Sequence, residues 1–242
     1  MSQVYSTSWR GTWLVIGPTM RSILLACTLL GSVLASTSHA DHDHHRRHHH
    51  HDKKHKPKPL DPSVIAAAGD ACTATMGSVE QRNQCVAAVV TATVDPSPAI
   101  NACAQAMGDY DQRVACVQAI APAVIEMSPA IDACSQAMGS YEQRLACVQA
   151  SAVAPFEMSA SINACAPAMG SYEQRLACVQ ASGQKTGDQS AVVNACSEAM
   201  GSYEQRLECV QIADNGQRDA VQMIQLCAGG AGSYEDRLNC LR

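Results

Sequence analysis

Two kinds of side chain in this sequence could hold a metal. Cysteines come in pairs thirteen residues apart: Cys72 with Cys85, Cys103 with Cys116, Cys134 with Cys147, Cys165 with Cys178, Cys196 with Cys209, and Cys227 with Cys240. Met76, Met107, Met138, Met169 and Met200 each follow the first cysteine of a pair by four residues. Two thiolates and a thioether form a soft donor set suited to Cu(I), provided the thiols stay reduced. The other donor is imidazole. Residues 41–58, DHDHHRRHHHHDKKHKPK, carry His42, His44, His45, His48, His49, His50, His51 and His55. Neutral imidazoles take Zn, Ni or Cu(II), so this tract reads as a chelator without fixed geometry. No other stretch calls for a cofactor.

Catalytic sets are missing from the cysteine-bearing region. Every histidine lies at or before residue 55, so that region alone cannot supply a Ser/His/Asp or Cys/His arrangement. It has no CxxC redox motif and no phosphate-binding loop. We therefore expect no enzymatic activity and no catalytic residue.

The fate of the cysteines depends on where the chain resides. Met20-Arg21, the apolar run SILLACTLLGSVLA, and the small residues Ser38 and Ala40 have the layout of a secretory signal peptide cut after Ala40. The apolar run is short for a bilayer span, so no integral membrane anchor is expected in the mature chain. Residues 1–40 read as leader and signal, and 41–60 as a disordered tail whose polar composition cannot build a core. An exported chain, periplasmic or extracellular, oxidises paired thiols.

Both cysteine series step by 31 residues without a slip, so residues 61–242 are six copies of one unit. Each unit reads as two short helices. In the third copy Ser128-Pro129 offers a helix start, and Ile131, Cys134 and Met138 follow at helical spacing. Gly139 ends that helix. Ser140 and Gln143 then form a capping box, with Glu142 in the first turn and Tyr141, Leu145 and Val148 as an apolar stripe. Cys134 and Cys147 fall at similar depth on antiparallel helices, which favours one bridge within each hairpin. The chain has one Phe and two Trp, both Trp within the first thirteen residues, so the repeats must build their core from small and aliphatic side chains. Bridges reinforce such a thin core. Cys147 lies roughly 120° round the helix from Tyr141, which leaves a second face to bury and implies stacking of hairpins into an all-α solenoid.

Glycine (Gly77, Gly108, Gly139, Gly170, Gly201, Gly232) and arginine (Arg82, Arg113, Arg144, Arg175, Arg206, Arg237) recur in all six copies. The glycine is expected as a left-handed helix end. The arginine heads are expected on helix-end carbonyls or a neighbouring acid. The alternative makes Arg113, Arg144, Arg175, Arg206 and Arg237, together with Tyr110, Tyr141, Tyr172, Tyr203 and Tyr234, a periodic row that meets a partner. Residues 59–242 carry nine basic and nineteen acidic side chains, which argues against nucleic acid as that partner.

One bridge per hairpin in an exported helical array resembles the secreted, cysteine-rich Sel1-like repeat proteins. That family has a longer repeat and a shorter cysteine spacing than the thirteen-residue step here, so the resemblance is one of construction and assigns no functional residue. The expected role is a non-enzymatic scaffold for a protein or envelope polymer. The alternative is a metal chelator or carrier acting through the histidine tract.

Overall fold

The structure is a computed structural model that describes residues 60–213 and 219–242. The expected leader, tail and histidine tract lie outside the described residues. Within them the chain forms twelve helices and no strand, in six hairpins: α1 (Pro62–Thr75) with α2 (Val79–Val89), α3 (Ser97–Ala106) with α4 (Tyr110–Ile120), α5 (Ser128–Ala137) with α6 (Tyr141–Ala152), α7 (Ser159–Ala168) with α8 (Tyr172–Gly183), α9 (Ser190–Ala199) with α10 (Tyr203–Ile212), and α11 (Ala220–Gly230) with α12 (Tyr234–Leu241). First helices pack on first helices and second on second, so the array has two layers.

The core is aliphatic, as the composition requires. Ile100, Ile131, Ile162, Val193 and Ile224 occupy one repeat position and are at most 1% exposed. Val117, Val148, Val179 and Val210 hold an equivalent place in the second layer, at most 2% exposed. All six bridges close within their own hairpins, with Cα–Cα separations of 5.7–5.9 Å. Each restricts the unfolded chain and stabilises by about 3 kcal/mol. The bridges also dispose of the soft-donor expectation, because oxidised sulfurs supply no thiolate. The methionines beside them are core residues, 2–3% exposed. Six intramolecular disulfides fit an oxidising, exported environment.

Two local expectations need correction. Ser128 lies inside α5 and is not its cap; the backbone N–H of Ser128 donates instead to Glu126 Oε1 at 2.7 Å. Asp95, Glu157, Asp188 and Asp219 repeat this device, accepting from N–H groups of Ser97, Ser159, Ser190 and Val221 at 2.6–3.1 Å. A carboxylate at a helix start meets both the unpaired donors and the positive end of the dipole. The recurring glycine is likewise not left-handed, since Gly187 is the one described glycine with positive φ, at 77°. Met76, Met107, Met138, Met169 and Met200 end the first helices in extended backbone. The glycine answers a different need, set by the next hairpin.

Candidate interaction surface

Three residues join each of the last five hairpins to the one before it. A Cβ built on Gly108 would sit 2.4 Å from Cε2 of Tyr141, and the same crowding recurs at Gly77 under Tyr110, Gly139 under Tyr172, Gly170 under Tyr203 and Gly201 under Tyr234. Glycine is there because a ring thirty-three residues later lies on it. The arginine three residues after each tyrosine covers that ring, 4.8–5.1 Å from its centroid. Its Nη1 then donates to the carbonyl of the last residue of the preceding first helix: Arg113 to Thr75, Arg144 to Ala106, Arg175 to Ala137, Arg206 to Ala168 and Arg237 to Ala199, at 2.5–3.1 Å. Those carbonyls have no partner within their own helix, and a cation suits the negative helix end.

The arginines meet helix-end carbonyls, and the tyrosines remain 43–47% exposed at their edges. The first hairpin, with no described hairpin before it, carries Val79 at the tyrosine position.

Along the same edge the capping boxes form a ladder. Gln143 accepts from the Ser140 N–H and donates through Nε2 to Glu173 of the next hairpin at 3.4 Å. Gln81 donates to Asp111 and Gln174 to Glu204, at 2.9 and 3.1 Å. Glu142, Glu173 and Glu204 are held below the usual carboxylate range, first by their own backbone N–H groups and then by the hydroxyls of Ser140, Ser171 and Ser202. The edge is therefore a row of ionised carboxylates at helix N-termini.

The outer face of the second layer is different in character. Gln118, Gln149, Gln180 and Gln211 stand exposed at one repeat position. Between them run shallow grooves. One of about 400 Å³ between α4 and α6 is lined by Ala115, Gln118, Ala119, Pro122, Gln149 and Val153. Its counterpart of about 330 Å³ between α8 and α10 is lined by Ala177, Gln180, Ala181, Gln184, Lys185 and Gln211. Small side chains floor the grooves and neutral amides flank them. Apart from Lys185 in the second groove, such a face offers hydrogen-bond donors and acceptors without charge. Its signal in the sequence is the Val-Gln pair directly after the second cysteine in four consecutive copies.

Among the described residues no group of three or more His, Cys, Asp or Glu side chains is arranged to hold a metal ion. No helix among them is long and apolar enough to cross a membrane. The eight histidines proposed as metal ligands lie outside the described residues. No family model matches the chain, and no curated protein or solved structure matches it.

Proposed function

We propose that this is an exported, non-enzymatic scaffold, periplasmic or extracellular, which holds a protein or an envelope polymer along its second-helix face. The observation that carries the reading is the row of Gln118, Gln149, Gln180 and Gln211, set in register by three of the five like joints and separated by small-residue grooves. A surface repeated at a fixed step suits a partner that is itself repetitive, because weak contacts at each step add along the array. The tyrosine edges border the carboxylate row and extend the surface toward basic or hydroxyl-rich groups. The joints keep the array in one geometry, which lowers the ordering cost of binding.

The test is co-sedimentation of the whole chain with an envelope fraction from the cells that make it. Replacing Gln118, Gln149, Gln180 and Gln211 by Ala together should weaken retention at least about tenfold, while circular dichroism stays unchanged. Full retention by the fourfold variant counts against the reading.

A second reading is favoured by the density of imidazole in residues 41–58. There the protein binds Zn, Ni or Cu through the tail and the array only displays it. Replacing the eight tail histidines with Ala would then abolish the cellular phenotype and leave envelope retention intact. The scaffold reading expects the reverse ranking of the two variants.

A further inference from the structure

Every internal joint is made by two unlike faces. The face turned to the following hairpin carries the glycine seat and the helix-end carbonyl; the face turned to the preceding hairpin carries the ring and the arginine. Both faces occur once more, at the two ends of the array, with nothing from the described residues upon them.

At one end, Gly232 has open space where the equivalent glycines meet a tyrosine ring. Leu226 there is 62% exposed, although Ala102, Ala133, Ala164 and Ala195 at the same repeat position are only 3–8% exposed. That position is buried in the four middle hairpins and half-buried at Ala71 of the first, each of them followed by another hairpin. At the other end, Val86 is 39% exposed, while Val117, Val148, Val179 and Val210 at the same position are at most 2% exposed. Val79 and Val90 beside it are 69% and 59% exposed. Arg82 recurs as well, and among the described residues it bonds only within its own hairpin, through Nε to the Met76 carbonyl at 3.4 Å. Solenoids that remain single end on polar outer faces. The outermost described hairpins here present Val79, Val86 and Val90 on one face and Leu226 on the other.

We propose that a second copy of this chain covers these ends, its α1/α2 hairpin seating on the α11/α12 hairpin so that the array continues head to tail. The five internal joints are the template. Val79 takes the tyrosine's place over Gly232, and Arg82 reaches the Gly230 carbonyl as Arg113 reaches that of Thr75. The contact is heterologous, so each added copy exposes the same open end and chains grow unless the rotation per step closes them into a ring. It is weaker than the internal joints because it lacks the ring and the stacked arginine. Glu80 would also face Asp236, which stands at the ladder position held by glutamine in the hairpins before it. Two carboxylates at that point repel, so association should strengthen with added salt. The inference rests on the joint geometry and is independent of the glutamine face.

Sedimentation of the exported full chain tests it. The weight-average mass should rise at least about twofold as the concentration goes from micromolar to millimolar, and rise further with salt. Val86→Glu alone and Leu226→Glu alone should each stay monomeric, since each has lost one face. Mixed in equal amounts they should form a dimer and stop, because one good face of each kind remains. A wild-type chain that stays monomeric throughout overturns the proposal, with residues 1–59 of the same chain as the alternative cover for the Val86 face. So does self-association of Leu226→Glu by itself, which would mean like faces pairing.

Discussion

The glycine under each tyrosine gives the sharpest mutational test, because the array contains its own control. In Gly139→Ala the new methyl would stand 2.6 Å from Cε2 and 2.7 Å from Cζ of Tyr172. Carbon atoms pack at about 3.5–4.0 Å, so the ring must withdraw by about 1 Å or more. Tyr172 is 44% exposed and can swing outward, but doing so uncovers its inner side and breaks the contact with Arg175, now 4.9 Å from the ring centroid. Losing part of the ring's burial and the cation–π contact together should cost about 1–2 kcal/mol. At Gly232 nothing lies within 4 Å, so Gly232→Ala should change stability by less than about 0.5 kcal/mol. Urea unfolding of the disulfide-intact chain, followed by circular dichroism, measures both. The double variant Gly139→Ala/Tyr172→Ala should cost less than the sum of its parts, since the methyl has then nothing to displace. Equal losses at Gly139 and Gly232 would refute the argument and restore a purely local role for the glycine.

Other consequences are more direct. Arg144→Met should destabilise by about 1–3 kcal/mol by orphaning the Ala106 carbonyl, whereas Arg82→Met should cost less in dilute solution; urea midpoints compare them. Removing one bridge with Cys134→Ser and Cys147→Ser should cost about 3 kcal/mol and leave the neighbouring bridges formed, as thermal unfolding and thiol titration would show. Burial raises the Asp188 carboxyl, but bonds from the Ser190 N–H, the Ser190 hydroxyl and the Ser161 hydroxyl outweigh it and leave the group below the usual carboxylate range. Its folded-state pKa is thus the lower one, so its stabilisation is complete above the unfolded value near 4 and lost as pH falls through the folded value. Asp61, Glu142, Glu173, Glu204 and Asp236 share that sign. Urea midpoints should fall as the pH drops below about 4, and fall less in Asp188→Asn.

The features legible in the sequence are those written inside one repeat. The 31-residue step, the thirteen-residue cysteine spacing and the Ser140–Gln143 capping box each depend on neighbours along one chain segment, and the fold follows them. The joints were not legible in that way. Gly139 meets a ring thirty-three residues on, and Arg144 reaches a carbonyl thirty-eight residues back, distances that mean nothing until hairpins are stacked. Within one repeat, a glycine after a helix looks like a left-handed end, and only the packing of Tyr172 shows otherwise. A hint existed in Val79, the one copy without tyrosine and the one with no described hairpin before it. The helix starts were misplaced for a simpler reason: Ser128 is a good cap by type, but Glu126 two residues earlier reaches the same donors with a full charge.

The pairing of cysteines carries the whole architecture, and peptide mapping of the unreduced, denatured chain tests it most directly. Trypsin cuts once between the two cysteines of every hairpin, after Arg82, Arg113, Arg144, Arg175, Arg206 and Arg237, and between hairpins after Lys185 and Arg218. With one bridge per hairpin, the peptides from the one ending at Arg82 to the one ending at Lys185 should remain linked as a single species. Residues 186–206 should carry only residues 207–218, and residues 219–237 only residues 238–242. Reduction should release every peptide. A link between any other two peptides, or free thiols on the twelve paired cysteines, would contradict the stapled hairpin array.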